Sequence, residues 1–293
     1  MTRRPEGKAL ANREEELSYC GAEVHRHDPD RFLAALYATP AQRESLLTLY
    51  AFNLEIAKVR ESVSEPMLGE IRLQWWREAL EEAYAGGPVR RHAVSEPLAD
   101  LVRTRGLTRA HFDRLIDARA FDLYDEPPKT TDDLIGYAES TSSTLVWLAL
   151  EALGAAHPAA LAAGRAVGIA WALVGLLRAM PHHLRQGRIY LPQDLEAEFA
   201  VDRRALSELK RTPQLAAAVR ALAGRARGYL TEARTLRREV PPDALPALLP
   251  AVLADGHLRR LARAGFDVFD ARLGQRPGLL TARLALHAMM GRY

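Results

Sequence analysis

Two separated segments of the chain carry aromatic, basic and imidazole side chains at helical spacing. The first, from Tyr50 to Glu61, reads YAFNLEIAKVRE, and the second, from Leu177 to Pro192, reads LRAMPHHLRQGRIYLP. Residues three or four apart share one face of a helix, so each segment can direct several side chains toward one ligand. Carboxylates at that spacing would bind Mg²⁺, but acidic residues are scarce in the first segment and missing from the second. The spacing therefore predicts a polar pocket that is poor in metal ligands.

The second segment contains two adjacent histidines, His182 and His183. Neighbouring residues on a helix diverge by about 100°, so the two imidazoles cannot both face one ion as residues four apart would. A zinc site needs further ligands, and none at zinc spacing accompanies this pair. We therefore predict no metal site, and we expect the imidazoles to be hydrogen-bonded in the wall of a pocket.

The pattern of apolar residues indicates which elements position these segments. Apolar side chains recur at three- and four-residue spacing along most of the chain, as at Leu68, Ile71, Trp75 and Ala79, whereas strict alternation is scarcely seen. Proline and glycine pairs separate the periodic stretches. Helices joined by short connections predict antiparallel neighbours around one core. The expected architecture is a single all-α domain.

Local signals place several helix ends. Thr108 precedes a helical pattern that runs from Arg109 to Leu123. Thr131 is followed by two aspartates, whose charge is favoured near a helix N-terminus. The stretch 188–203 interrupts the long helices and predicts a turn with short helical pieces.

The charge balance argues against a nucleic-acid partner. Lysine and arginine number 40 against 37 acidic residues, a net charge of +3, and the arginines are spread along the chain. We find no zinc-finger spacing or other nucleic-acid-binding signature. The single cysteine, Cys20, excludes an internal disulfide and suits a reducing compartment.

The sequence predicts a cytoplasmic protein that is at most peripherally attached to a membrane. The N-terminus is charged and lacks the apolar core of a secretory signal. The longest uncharged apolar run, 166–177, is shorter than the roughly 18 residues that suggest a transmembrane helix. An Arg-rich amphipathic stretch, 215–238, is a candidate surface for peripheral attachment, although arginines also coat ordinary soluble helices.

The first segment resembles the pattern Y-A-F-C-R-x-x-D-D-x-x-D of the squalene/phytoene synthase family, whose aspartates bind Mg²⁺. Tyr50 matches this pattern, and Asn53 stands at the cysteine position. The three aspartate positions read Ala57, Lys58 and Glu61, so one carboxylate of three remains. The resemblance implies a prenyl diphosphate site that has lost most of its metal-binding groups.

The second segment resembles the family pattern L-R-D-x-x-E-D-x-x-R-G-R-x-Y-L-P. The residues that match include Arg178, Arg188 and Tyr190. The three acidic positions are all replaced, and they read Ala179, His182 and His183. The resemblance is therefore specific in its framework and degenerate at the positions that would bind metal.

Two further stretches resemble the wall of the family's prenyl tunnel. Trp75 and Trp76 lie in a W-W-R-E stretch, and with Phe52 they would line such a tunnel, although a plain core helix explains both tryptophans equally well. Tyr137 precedes a run of hydroxyl residues, 140–144, where the family's helix is small and apolar. Hydroxyls lower helix propensity unless they find partners, so this run predicts a wetter or narrower groove.

The resemblance covers residues 19–293, with residues 1–18 as an N-terminal extension. It implies an all-α, single-domain, isoprenoid-synthase-like antiparallel helical bundle. Within the family, the chain resembles most the branch of the mitochondrial respiratory complex I assembly factor. That branch implies a non-enzymatic protein without a cofactor, whose partners are complex I subunits or assembly intermediates. For a bacterial relative, the expected location is the cytoplasm or the cytoplasmic face of the inner membrane.

Three hypotheses follow from the sequence. In the first, Lys58, Arg178, Arg188 and a histidine make the pocket cationic, so that it binds an anionic lipid or a prenyl diphosphate without Mg²⁺. In the second, the chain is an active isoprenoid synthase or hydrolase that uses other carboxylates, namely Glu55, Glu61, Asp117, Asp122 and Asp125. In the third, the chain is a peripheral membrane protein without a small ligand.

Overall fold

The computed structural model describes residues 17–124, 126–274 and 278–293, and every regular element in these ranges is helical. The described α-helices, in chain order, are α1 (Tyr19–His27), α2 (Pro29–Ala35), α3 (Pro40–Ala57), α4 (Pro66–Ala85), α5 (Ser95–Arg105), α6 (Arg109–Ala120), α7 (Thr131–Ala138), α8 (Thr144–Ala152), α9 (Pro158–Arg185), α10 (Gln193–Glu198), α11 (Arg203–Ser207), α12 (Pro213–Thr235), α13 (Leu245–Leu248), α14 (Pro250–Arg263) and α15 (Gly278–Met289). Short 3-10 turns lie at Arg60–Ser62, Phe121–Leu123, Pro242–Ala244 and Ala271–Gly274. The predicted all-α class is confirmed.

Helix α9 is the axis of the domain, with α8, α12 and α14 packed around it. Its 28 residues correspond to a length of about 42 Å. The helix begins at Pro158, whose fixed φ suits a first helical turn, and the His157 side chain accepts a hydrogen bond from the Ala159 backbone N–H. Its alanine- and leucine-rich sequence buries most of the surface between Ala159 and Leu184. The second motif segment occupies the last two turns of this helix and the loop after it.

The first motif segment lies on α3, which packs against α1 and α8. Pro40 begins α3, and the side chains of Thr39 and Gln42 form a capping box at this end. The helix ends at Ala57, and the chain then enters the 3-10 turn that contains Glu61. The family's acidic positions therefore straddle the end of α3.

The local signals of the sequence locate several other helices. Helix α6 begins after Thr108 and continues into a 3-10 turn that ends at Leu123. Helix α7 begins at Thr131, and Thr130 and Asp133 form its capping box. The predicted break between the long helices is confirmed, because the stretch 188–203 holds a turn, the six-residue α10 and the start of α11.

Helix α9 is also long and apolar enough to cross a membrane, by length and composition alone. Within the domain, 67% of its most apolar stretch is buried by other helices. A helix that is apolar on all sides is expected at the centre of a large helical core. Its composition is therefore accounted for by its central position.

The predicted N-terminal extension, 1–18, lies outside the described residues except for Leu17 and Ser18. The Ser18 side chain accepts a hydrogen bond from the Gly21 backbone N–H and so caps α1. Ser18 thus belongs to the helical domain that follows it.

Candidate functional site

The two motif segments meet at one cavity. Asn53 of the first segment and Ala179 and His183 of the second segment line an open cavity of about 230 Å³, here called the central cavity. Its other lining residues are Arg31, Arg119, Tyr137, Thr141, Ser142, Trp171, Ala172, Gly175 and Leu176. Each segment thus supplies residues to this cavity, whereas the predicted site residues Tyr50, Ala57, Lys58, Glu61, Arg178, His182, Arg188 and Tyr190 are not part of its lining.

Glu61 and His182 connect the two segments directly. Glu61 Oε1 lies 3.5 Å from His182 Nε2, and both side chains are about half exposed. In the family patterns each of these positions is acidic. A carboxylate and an imidazole thus face each other where two carboxylates would share a divalent cation.

Two of the basic residues that the sequence assigned to the pocket, Lys58 and Arg178, pair with nearby carboxylates. Lys58 Nζ lies 3.4 Å from the Glu23 carboxylate of α1. Arg178 donates a hydrogen bond of 2.9 Å to Asp30 of α2. The charges of Lys58 and Arg178 are therefore locally compensated, and the site is less cationic than the sequence alone predicts.

Asp30 is the centre of an ionic cluster. Besides Arg178, it contacts His257 of α14, with Nε2 3.4 Å from the carboxylate. Burial acts to raise the pKa of Asp30, but the hydrogen bond from His257 and the charge of Arg178 outweigh it and lower the pKa to about 2. The pKa of His257 is lowered, mainly by burial. This cluster connects α2, α9 and α14.

The residues at the two motifs do not fit a magnesium site. Mg²⁺ requires near-octahedral oxygen ligands from carboxylates and phosphates. Of the six acidic positions of the two patterns, only Glu61 retains a carboxylate, and one position holds Lys58. Within the described residues, no group of three or more His, Cys, Asp or Glu side chains could hold a metal ion.

The other carboxylates that the sequence offered for catalysis do not supply the missing ligands. Asp117 is exposed and pairs with Arg77 at 2.8 Å. Asp122 is buried and engaged by three neighbours, as described next. Asp125 lies outside the described residues. Asp117 and Asp122 are thus engaged separately, one in a surface ion pair and the other in the buried network.

A buried polar network forms one wall of the central cavity. The Asp122 carboxylate accepts hydrogen bonds of 2.8 Å from the hydroxyls of both Tyr137 and Tyr190. Arg119 donates to Asp122 at 3.2 Å and to the Tyr137 oxygen at 3.0 Å. The Arg119 guanidinium also reaches Asn53 Oδ1 at 3.5 Å. The network therefore joins the first segment, the end of α6, α7 and the end of the second segment.

Burial and charge shift the pKa values of this network in consistent directions. The pKa of the Tyr137 hydroxyl is raised well above its usual value by burial and by the charge of Asp122. The pKa of Tyr190 is raised for the same two reasons. Both tyrosines are therefore neutral hydrogen-bond donors at physiological pH, and Arg119 carries the positive charge that balances Asp122.

His183 is a neutral imidazole in the wall of the cavity. Burial, followed by the charge of Arg188, lowers the pKa of His183 to about 4. Its ring lies 4.8 Å from that of Tyr190, centroid to centroid. Its Nδ1 atom is buried and has no hydrogen-bond partner among the described residues. The expected hydrogen bond of this imidazole is therefore missing at Nδ1, which leaves a polar atom for a ligand or water.

The run of hydroxyl residues forms a π-helical turn, Glu139–Ser143, between α7 and α8. Ser143 donates a hydrogen bond of 2.7 Å to the Arg165 carbonyl of α9, and Thr141 donates one of 2.8 Å to the Tyr137 carbonyl. Close approach of α9 is possible because Gly168 lacks a side chain, since a Cβ there would lie 2.3 Å from Ser143 Cα. Single-turn π-bulges occur frequently at functional sites.

Ser142 of this turn faces the central cavity. Its hydroxyl is buried and has no hydrogen-bond partner among the described residues, and the same holds for Arg119 Nε. Buried polar groups are normally satisfied by protein or by water. With His183, three residues that line the cavity each have a buried polar atom without a hydrogen-bond partner. The expectation of a wetter or narrower groove stays a prediction.

Three aromatic residues predicted in the pocket wall lie elsewhere. Phe52 packs edge-on against Trp76, with ring centroids 5.3 Å apart, and against Phe112 of α6. Trp75 lies under Arg90, 5.3 Å from the guanidinium carbon to the ring centroid. Phe52 and Trp76 are thus buried where α3, α4 and α6 meet, Trp75 is partly buried against Trp76, and none of the three lines the central cavity. Of the predicted wall, Tyr137 lines the central cavity.

An apolar extension of the cavity is filled by side chains. Leu176 and His183 line both the central cavity and a narrow space of about 10 Å³ next to Tyr190 and Arg188. That space is lined mainly by leucines from α7, α9, α11 and α12. Met180 and the loop residues Ile189 and Leu191 also line it. A space of this size accommodates about one water molecule. The structure therefore leaves little room for a long prenyl chain in this direction.

The cavity residues that were missed in the sequence include Arg31, Arg119 and Trp171. Tyr50, which was predicted in the site, is buried beneath Arg31. The Arg31 guanidinium carbon lies 5.7 Å from the centroid of the Tyr50 ring. A spacing of four residues along α9 relates Trp171 to Gly175, Ala179 and His183, and this spacing could have indicated Trp171. Arg31 and Arg119 come from other helices, and no local pattern indicates them.

Comparison with known proteins agrees with the motif framework. A family model described as squalene/phytoene synthase matches residues 24–280. The chain belongs to the squalene/phytoene synthase family. Its match to this family covers most of the described domain and both motif segments.

The relatives fall into two groups. Complex I assembly factor 6 of Mus musculus is 32% identical over 275 residues, which cover 94% of this chain and 82% of that protein. A 15-cis-phytoene synthase of Synechococcus elongatus is 24% identical, over 90% of each chain. Among solved structures, a dehydrosqualene synthase superposes with a TM-score of 0.82 at 20% identity, and covers 93% of this chain and 94% of that one. The structural likeness shows that this family member has the isoprenoid-synthase-like helical fold.

Proposed function

We propose that this squalene/phytoene synthase family member is a non-catalytic protein that assists the assembly of respiratory complex I, the NADH:quinone oxidoreductase. The contact between Glu61 and His182 carries the proposal, because an imidazole and a lone carboxylate stand where the synthase patterns have clustered acids. Expulsion of diphosphate needs divalent cations to stabilise the leaving group. The similarity to assembly factor 6 supports the same conclusion.

The proposed partners are complex I subunits or assembly intermediates, and the proposed location is the cytoplasm or the cytoplasmic face of the inner membrane. Deletion of the gene should lower NADH:quinone oxidoreductase activity of isolated membranes and leave squalene- and phytoene-type products unchanged. Complementation should succeed with the wild-type gene and with Glu61→Ala, which removes the last acidic group of the two patterns. Loss of such a hydrocarbon with intact NADH:quinone oxidoreductase activity would overturn the proposal.

The alternative is a transferase that uses prenyl diphosphates. The polar cavity at the meeting point of the two motifs favours this alternative, since it occupies the position expected of a substrate site. Incubation of the purified protein with farnesyl or geranylgeranyl diphosphate distinguishes the two. Sustained release of pyrophosphate that requires Mg²⁺ and is lost in Glu61→Ala would establish the alternative.

We further propose that the central cavity binds the polar headgroup of an anionic lipid without a metal ion. Arg31 and Arg119 line the cavity together with Ser142 and His183, each of which has a buried polar atom without a hydrogen-bond partner. Arg31 is paired with Asp28 at 2.7 Å and Arg119 with Asp122 at 3.2 Å, so little uncompensated positive charge remains at these two arginines. An anion of lower charge, such as a monophosphate or a carboxylate, therefore suits the cavity better than a prenyl diphosphate.

Titration with farnesyl monophosphate and farnesyl diphosphate, each in EDTA, tests this binding proposal. We expect the monophosphate to bind at least as tightly as the diphosphate. Gly175→Leu should weaken binding, because Gly175 lines the cavity and a Cβ atom at this position meets nothing within 4 Å, so a larger side chain can be accommodated there. Gly228→Leu is the matched control, since Gly228 is exposed on α12. Binding that appears only after addition of Mg²⁺ would contradict the proposal.

A further inference from the structure

The C-terminal helix α15 has two apolar faces, and only one of them is packed. Leu280 and Leu284 are buried against the domain. On the opposite side, Leu279, Leu286 and Met289 are 83%, 51% and 78% exposed. With Ala282, these residues are spaced three or four positions apart along α15. They therefore share one face and form a continuous stripe along the helix. Soluble proteins expose single apolar side chains routinely, but a contiguous stripe marks an interaction surface.

Arginines border this stripe. An open groove of about 460 Å³ between α14 and α15 is lined by the stripe residues Leu279, Ala282 and Leu286 and by arginines. The arginines in its lining are Arg259, Arg260, Arg263 and Arg283. The neighbouring carboxylate of Asp255 lies within 4 Å of Arg234, Arg259 and Arg283, and so is shared among three cations. The groove therefore carries a net positive charge beside an apolar surface.

The sequence of α15 strengthens this charge pattern. Residues 278–293 contain two arginines and a histidine and no acidic residue. A helix with leucine and methionine on one face and arginines at its border has the composition of helices that lie in the interface of a bilayer. Arginine also forms paired hydrogen bonds with phosphate oxygens.

We propose that α15 and the adjacent face of α14 dock onto the surface of an anionic phospholipid bilayer. The exposed stripe would enter the boundary between headgroups and acyl chains, and Arg259 and Arg263 would contact lipid phosphates. The charge complementarity favours an anionic bilayer over an apolar protein surface as the occupant. The proposal concerns a different surface from the central cavity and does not depend on the role in complex I assembly.

The structure does not favour the Arg-rich stretch 215–238 for this purpose. Helix α12 is packed between α9 and α14, and several of its arginines make contacts within the domain. Arg227 donates to the Leu258 carbonyl, Arg234 donates to Asp255, and Arg220 lies over the Phe266 ring. Those arginines stabilise the fold, whereas the stripe on α15 is covered by nothing in the described part of the chain.

Flotation of the full chain with vesicles tests the proposal. We expect binding to vesicles that contain phosphatidylglycerol, none to vesicles of phosphatidylcholine alone, and weaker binding at high salt. The double variants Leu286→Glu/Met289→Glu and Arg259→Glu/Arg263→Glu should each reduce the bound fraction by roughly tenfold. Because the substituted side chains are exposed or border an open groove, circular dichroism should show that both variants remain folded.

The matched control is Met67→Glu/Ile71→Glu on α4, where two apolar side chains are also largely exposed. This variant should bind the vesicles as the wild type does. Equal loss of binding in the control, or no wild-type binding to phosphatidylglycerol vesicles, would overturn the proposal. A wild-type dimer in light scattering that Leu286→Glu/Met289→Glu converts to a monomer, without vesicle binding, would instead identify a second copy of the chain as the occupant.

Discussion

The Arg178 guanidinium on α9 donates a hydrogen bond of 2.9 Å to Asp30 on α2, across 148 positions of sequence. Arg178 matches the squalene/phytoene synthase pattern in sequence, yet here it completes an ionic cluster with His257. Lys58 is likewise held by Glu23. Residues that the motifs place at a binding site therefore contribute to the stability of the domain, and the polar character of the cavity comes from other side chains.

Restoring the acidic positions should create a magnesium site. We expect the wild-type melting temperature to be unaffected by Mg²⁺, because only Glu61 remains of the six acidic positions. A variant with Ala57→Asp, Lys58→Asp, Ala179→Asp and His183→Asp should be destabilised by charge repulsion and stabilised again by Mg²⁺. At ten times the Kd this stabilisation is about 1.4 kcal/mol.

Thermal unfolding with and without Mg²⁺ measures this difference, and Ca²⁺ provides a comparison of cation size. The expectation fails if the wild type is stabilised by Mg²⁺ as much as the substituted chain.

Asp122→Ala should be strongly destabilising. The substitution leaves the Arg119 charge without its carboxylate and removes the acceptor for Tyr137 and Tyr190. Breaking a buried ion pair on one side costs about 3–5 kcal/mol. Urea unfolding at neutral pH measures the change in the free energy of unfolding.

The control for this experiment is Asp117→Ala, in which the lost carboxylate is 67% exposed and paired with Arg77. Exposed ion pairs contribute about 1 kcal/mol or less. Similar losses in the two variants would show that the Asp122 network is not an important source of stability.

Gly168→Ala should destabilise the contact between α9 and the π-helical turn. The new Cβ would lie 2.3 Å from the Cα atom of Ser143, so the backbone must move. Overpacking of this kind costs about 1–3 kcal/mol. Gly224→Ala on the exposed side of α12 meets nothing within 4 Å and should stabilise the protein by about 0.5–1 kcal/mol.

Chemical denaturation of the two glycine variants provides the comparison. An unchanged free energy of unfolding in Gly168→Ala would mean that α9 and the π-helical turn can move apart without destabilising the protein.

His183 should make stability depend on pH in the mildly acidic range. Its pKa is lowered to about 4 in the folded chain, so the unfolded chain binds the additional proton first. Stability is therefore fully present above pH 6.5 and decreases as the pH falls from about 6.5 to about 4, by roughly 3 kcal/mol in total. His183→Gln should remove this part of the pH dependence.

The free energy of unfolding of the wild type and of His183→Gln, measured from pH 7 to pH 4, tests the expectation. If the free energy of unfolding depends on pH in the same way for both chains, the His183 imidazole is protonated equally in the folded and unfolded states.

Much of the fold was predictable from the sequence, because its signals are local. The spacing of apolar residues identifies the helices, Thr108 and the acidic start at Thr131 mark two helix starts, and the irregular stretch 188–203 interrupts the long helices. Each motif segment also supplies residues to the central cavity, namely Asn53 from the first and Ala179 and His183 from the second. These features depend on residues that are close together in the chain.

The sequence by itself determined that this family member lacks the acidic residues of a synthase, since composition at named positions needs no coordinates. Only the tertiary structure decided which cations are compensated, that Trp76 belongs to the core with Trp75 packed against it, and that α15 presents an apolar stripe. The physical reason is that charge pairing and burial depend on contacts between helices distant in sequence. Periodicity specifies that a helix has an apolar face, but the partner of that face is set by the packing of the whole domain.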